Sequence, residues 1–285
     1  MISAVIDRLA SVETIAAERG ATERGATAKD AADYVVADRV RKIFNPGGRH
    51  EVEAVAPTSF AVKSGEFVSL LGPSGCGKST LLMMVAGLER PSEGTLAVAG
   101  KPMTAPRAEN GIMFQDPTLL PWKSALENVL FPYRAMNRPV APHVERAKAL
   151  LDEVGLAGFH NHKPRQLSGG MRQRVAICRA LIFEPDLLLM DEPFSALDAI
   201  TRDEMNLVLM KIWEEHHRTA IFVTHSIREA VYLSDRVLVM SQRPGRVIAD
   251  VKIPFARPRG LEIEETAEFN EICGYLRSKI QHKPV

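Results

Sequence analysis

The sequence predicts an α/β fold with a mainly parallel sheet core, an antiparallel β subdomain and a helical lobe. Three observations carry this. Phe67–Leu71, Leu187–Met190 and Ala220–Thr224 are short, near-continuous apolar runs of the kind that form strands buried on both faces. Each is followed by a helical pattern, the alternation that builds a parallel sheet. Residues 35–44 and 52–62 instead read as a longer pair of strands around the turn Asn45-Pro46-Gly47-Gly48, while 116–183 is poor in strands.

Taken in order, residues 1–33 form an extension. Ile2, Val5, Ile6, Leu9, Val12 and Ile15 share one helical stripe, followed by an Ala/Glu/Arg/Gly/Thr-rich stretch over 17–30. That reads as an amphipathic helix and a loose linker, with a docking helix for a partner or membrane surface as the alternative. The main domain spans 34–253. After the first two strands, Lys63-Ser64-Gly65 turns into Phe67–Leu71, and Leu81, Leu82, Met84, Val85 and Leu88 mark a helix. Strands at Thr95–Ala99 and Asn110–Gln115 precede a loop-like stretch, 116–135, containing Pro117, Pro121, Trp122 and Pro132. Val144, Ala147, Leu150, Leu151 and Val154 mark a helix that Gly155 closes. Further helices are expected from Met171 to about Phe183 and from Ile200 to His216. Ser226-x-x-Glu229 forms a capping box for a helix reaching Leu233, before a strand at Arg236–Met240. Residues 254–285 read as a helical tail. The helical lobe covers about 116–183.

Composition narrows the function. A formal net charge of +1 argues against a nucleic-acid binder driven by a basic field. Cys76, Cys178 and Cys273 are too dispersed for a disulfide framework or a metal site, which suits a reducing cytoplasm. No apolar run approaches the roughly 18 residues needed to span a bilayer.

The richest stretch is Gly72-Pro73-Ser74-Gly75-Cys76-Gly77-Lys78-Ser79-Thr80, between a strand and a helix. This is the context of a phosphate-binding loop, the P-loop: glycines let consecutive N–H groups point inward at phosphate oxygens, and the helix adds its positive end. Lys78 then serves as a point charge on the β- and γ-phosphates and Ser79 as a Mg²⁺ ligand. The pattern arises by chance in on the order of 1% of chains this long, before its flanks are considered. Leu187–Met190 delivers Asp191 and Glu192 at a strand's C-terminal end, where open α/β sheets bind ligands. With the P-loop present, Asp191 suits the Mg²⁺ shell and Glu192 the attacking water. Ser168-Gly169-Gly170 places a hydroxyl and glycine N–H groups at a helix start, a second anion site. A second cradle makes sense if it caps nucleotide bound to another copy, in a head-to-tail pair with two ATP molecules between chains.

These motifs, together with Gln115, Ser195-Ala196-Leu197-Asp198 and His225, stand in an order and spacing that resembles the ATP-binding-cassette (ABC) ATPases from about Val35 to Ile253. The resemblance implies a P-loop NTPase of the ABC nucleotide-binding type, with ATP and Mg²⁺ as cofactors. It implies that Gln115 touches Mg²⁺ and senses a transmembrane partner, that His225 contacts the γ-phosphate, that Asp198 lies in an interface loop, and that Phe44 stacks on adenine. Met171 departs from the usual glutamine after Gly-Gly, so that side chain's hydrogen bonds are lost. Leu119-Leu120-Pro121-Trp122 with Leu167–Arg174 is similar to ATPase subunits of importers for nitrate, sulfonates, taurine and related solutes. The implied partners are a second copy, integral membrane permease subunits that Trp122 faces, and an extracytoplasmic solute-binding protein. The implied location is the cytoplasmic face of the inner membrane. Packing of Trp122 within the helical lobe is the alternative. A soluble ABC ATPase acting on nucleic acid or the ribosome and an exporter subunit are the rival functions. A single cassette and a neutral charge weigh against the first.

Overall fold

The computed structural model describes residues 33–281. The stripe at Ile2–Ile15 lies outside the described residues. In chain order the strands are β1 (Asp33–Phe44), β2 (Val52–Lys63), β3 (Phe67–Leu71), β4 (Glu93–Val98), β5 (Lys101–Pro102), β6 (Asn110–Met113), β7 (Leu187–Asp191), β8 (Thr219–Thr224), β9 (Arg236–Met240) and β10 (Val247–Lys252). The helices are α1 (Lys78–Val85), α2 (Ala125–Val129), α3 (Phe131–Ala135), α4 (Val144–Glu153), α5 (Gly169–Leu181), α6 (Ala199–His216), α7 (Ile227–Leu233) and α8 (Ala267–Gln281). The described residues divide into two compact units, 33–106 with 217–281, and Arg107–His216.

In the first unit β1 and β2 form a long antiparallel pair, registered from Asp33↔Lys63 to Phe44↔Val52, and the sheet order is β2-β1-β4-β5. The fully buried β3 lies between β8 and β9, both parallel to it, with β10 antiparallel on β9. A β3 with five buried residues explains its unbroken apolar run. Arg236 joins the two sheets. Its guanidinium donates to Asp250 Oδ1 at 2.6 Å, to Glu66 at 2.8 Å and to the Ala61 carbonyl at 2.8 Å. Burial lowers its affinity for a proton, and the hydrogen bonds and charges of Asp250 and Glu66 more than offset this, leaving its pKa raised. The tail bonds to the end of α7: Arg259, buried, donates to the carbonyls of Val231, Tyr232 and Ser234 at 2.8–3.3 Å. A cation on the last carbonyls of a helix is electrostatically favourable.

In the second unit β6 pairs in parallel with β7, from Asn110↔Leu187 to Met113↔Met190. This unit contains α2–α6, so it is larger than the lobe expected over 116–183.

Three local expectations are corrected, and one strand goes beyond them. The stretch 116–135 is not all loop: α2 and α3 lie within it. Glu127 N–H donates to Ser124 Oγ at 3.2 Å and Ser124 N–H to Glu127 Oε2 at 2.9 Å, a reciprocal capping box. Pro132 sits in the first turn of α3, where its missing N–H costs nothing. Leu88 does not belong to the α1 stripe, because the helix stops at Val85, Gly87 takes φ +74° and Leu88 is exposed. Ser226 caps α7 through Glu229 N–H, but the reciprocal bond is replaced by a relay. Ser226 N–H donates to Thr224 Oγ1, and that hydroxyl donates to the buried Glu229 carboxylate. Strand β10 was not anticipated after Met240, although Ala249 and Val251 alternate inward against Ile248, Asp250 and Lys252.

Candidate functional site

The first unit carries Phe44, the P-loop and His225. Buried β3 ends at Leu71, and Gly75 and Gly77 turn the chain with φ of +75° and +104°. Gly77 is doubly constrained, since a Cβ there would also meet the Ala54 carbonyl at 2.6 Å. It is the N-cap of α1, whose first residue is Lys78. Lys78 is buried, and its ammonium donates to the Gly72 and Pro73 carbonyls at 2.9 and 3.0 Å. Pro73 and Thr80 are half-buried, Ser74, Gly75 and Ser79 exposed, and Cys76 buried. The loop therefore presents Ser74, Gly75 and Ser79 to solvent while its lysine is held against its own backbone. His225 is exposed after β8, immediately before α7. Phe44 ends β1 half-buried, with the Lys42 ammonium 4.9 Å from its ring centre. One ring face is thereby occupied by a cation.

The second unit carries Gln115, Ser168–Gly170, Asp191, Glu192 and Asp198. Asp191 is the last residue of β7, and both it and Glu192 are half-buried. Glu192 takes φ +43°, an uncommon conformation for a side chain of this kind, costing about 1–3 kcal/mol. Ser195 Oγ donates to the Glu192 carbonyl at 3.0 Å and accepts from Gln115 Nε2 at 3.1 Å. Gln115 and Glu192 are thus brought together through Ser195. The Gln115 carbonyl in turn accepts from the buried Gln173 amide at 3.1 Å. Ser168 is the N-cap of α5 and accepts from Met171 N–H at 3.2 Å, which leaves its hydroxyl proton free for an anion. Gly170 packs so closely on α6 that a Cβ would lie 2.7 Å from Thr201 Cγ2. Asp198 caps α6, accepting from Thr201 N–H at 3.0 Å and from its hydroxyl at 2.8 Å. Those bonds hold its carboxyl below the usual aspartate range.

Two residues that sequence reasoning missed build the loop carrying Trp122. Asn128, fully buried, accepts from Leu120 N–H at 2.7 Å and donates to the carbonyls of Leu120, Lys123 and Ser124. Arg179 donates to the Pro117 and Thr118 carbonyls. The only signal for either was a polar residue on a helical face otherwise apolar. Held this way, Trp122 is 67% exposed, so the alternative in which it packs inside the lobe is overturned. Beside Thr118 lies a groove of about 430 Å³ lined by Phe114, Phe131, Met136, Arg179 and Phe183, among others.

The sequence profile described as ABC transporter matches residues 55–195. An uncharacterized ABC transporter ATP-binding protein of Methanocaldococcus jannaschii is 46% identical over 244 residues, 85% of this chain and 91% of that protein. The chain belongs to the ABC transporter family. The taurine import ATP-binding protein TauB of Pelagibacter ubique is 43% identical to this ABC protein, over 78% of this chain and 84% of its own. The aliphatic sulfonates import ATP-binding protein SsuB 2 of Burkholderia cenocepacia is 51% identical, over 70% and 72%. The fold matches the ATP-binding cassette MJ0796, solved as a dimer in a post-hydrolysis state with ADP and Pi, at a TM-score of 0.66 and 33% identity, covering 78% of this chain and all of that one. This ABC protein binds and hydrolyses ATP as an importer subunit. Among the described residues no helix is long and apolar enough to cross a membrane.

Proposed function

We propose that this ABC ATPase energises uptake of a small organosulfonate such as taurine. Two copies close head-to-tail around two ATP molecules at the cytoplasmic face of the membrane. The partners are a separate permease and an extracytoplasmic solute-binding protein. The observation that carries the permease reading is Trp122, an exposed aromatic on a loop fixed by Asn128 and Arg179. Tryptophan is among the residues most enriched where protein interfaces concentrate their binding energy.

In the proposed reaction the P-loop N–H groups and Lys78 hold the phosphate oxygens. Lys78 turns from its loop carbonyls toward the γ-phosphate, His225 contacts that phosphate, and Glu192 accepts a proton from the attacking water. Ser79, Asp191 and Gln115 offer a hydroxyl, a carboxylate and an amide oxygen, a hard donor set suited to Mg²⁺. Bound there, Mg²⁺ would neutralise charge on the β- and γ-phosphates. Ser168–Gly170 serves the nucleotide of the opposite copy.

Trp122→Ala tests the docking. It should cost co-purification with the permease while leaving ATPase activity of the purified subunit intact. Retained assembly would remove the permease role from Trp122. Uptake of labelled taurine and of nitrate into vesicles carrying the whole transporter tests the solute, and ATP-driven uptake of nitrate alone would overturn the sulfonate reading.

A further inference from the structure

The loop between β9 and β10 is exposed at Gln242, Arg243, Pro244 and Arg246, yet Gly245 within it is buried. Its backbone is fixed from one side by β2. Gly245 N–H donates to the Ala54 carbonyl at 3.1 Å, and its carbonyl accepts from Ala56 N–H at 2.9 Å. On the other side a Cβ at Gly245 would collide with the carbonyl oxygen of Cys76, inside the phosphate-binding loop. The same Ala54 carbonyl lies where a Cβ on Gly77 would fall, at 2.6 Å. Gly72 backs onto Met240, where a Cβ would find side chain and carbonyl at 3.1 Å. The P-loop thus rests on a seat made from Ala54–Ala56 of β2 and the turn 240–245.

We propose that Gly245 is a positioning residue for ATP binding, setting the height of the phosphate cradle through the Cys76 carbonyl. Because two hydrogen bonds anchor Gly245 to β2, a side chain there cannot relax by moving the turn. The displacement passes into the P-loop, whose buried side is already filled by Cys76 and Met240. The loop moves outward, and its N–H groups lose their aim at the phosphates. Ser241 supports the same turn: its hydroxyl accepts from Arg246 N–H at 3.1 Å and donates to the Gln242 and Pro244 carbonyls.

The inference rests on the P-loop being the ATP site, which the Lys78→Ala variant checks separately. In the full chain, Gly245→Ala should raise the ATP KM about ten-fold or more, since misplacements near 1 Å can cost up to 10²-fold. It should leave kcat at saturating ATP within about three-fold, because Glu192 and its neighbours keep their places. Ser241→Ala loosens the turn without a clash and should raise KM about three-fold, and Ser241→Thr, which keeps the hydroxyl, should restore it. An unchanged KM in folded Gly245→Ala overturns the proposal. If that variant does not fold, an unchanged KM in Ser241→Ala overturns it instead. If Lys78→Ala binds ATP like the parent, the P-loop reading fails, whatever the Gly245 result.

Discussion

The two glycine-bearing helix starts, Gly72–Thr80 and Ser168–Gly170, use glycine for different reasons. In the first, Gly75 and Gly77 supply left-handed torsions, and Gly77 also clears a backbone carbonyl, so only glycine fits. In the second, neither glycine has positive φ, and Gly170 is small because a neighbouring methyl group needs the space. The first carries its own cation in Lys78, whereas the three residues of the second offer a hydroxyl and N–H groups alone. A cradle with its own cation can hold a triphosphate unaided. One built from an exposed serine and two glycines suits the completion of a site assembled elsewhere.

The widest gap between them should appear on removing the cation. Lys78→Ala should lower ATP hydrolysis by about 10²–10³-fold and weaken ATP binding, with the fold intact. Parental turnover by the purified variant would make the two cradles equivalent. Ser168→Arg should abolish hydrolysis while isolated chains still bind ATP. Mixed with Lys78→Ala chains it should regain activity, because one composite site of the heterodimer is wholly parental. No recovery in the mixture would place both cradles on the same nucleotide.

The steric contrast is sharpened by repair. Gly170→Ala should destabilise by about 1–3 kcal/mol in denaturant unfolding, the usual cost of overpacking. Thr201→Ser removes the obstructing methyl and keeps the hydroxyl on Asp198, so the double variant should recover most of that loss. Gly77→Ala should admit no such repair, because its obstacle is main chain. The smallest effect should come from Asp198→Ala, which lowers Tm at neutral pH by uncapping α6, while Asp198→Asn should keep most of the cap. Asp198's folded pKa is depressed, so its charge-assisted contribution is present above the ordinary aspartate pKa and lost as pH falls through the lowered one. The difference between parent and Asp198→Asn should therefore close in acid.

Much of this architecture was legible because the chemistry is local. A fully buried strand must be continuously apolar, and a phosphate loop must have glycines at fixed spacing, so β3, β7, β8 and the P-loop could be read from the residues themselves. The two short helices near Ser124 and Pro132 were obscured by prolines that signal a turn in one context and a first helical turn in another. Strand β10 alternates over only six residues, three of which, Ala249, Asp250 and Lys252, are small or charged. Gly245 and Asn128 were not legible, because their importance comes from residues 169 and 8 positions away, at Cys76 and Leu120.

The exposure of Trp122 has a spectroscopic consequence. The chain has two tryptophans, and Trp213 is 6% exposed against 67% for Trp122. Their emissions should differ in colour and in access to a dissolved quencher: Trp213 blue and protected, Trp122 red and open. Any surface that covers the loop would turn the red component blue and shield it, so docking can be followed on the unlabelled protein.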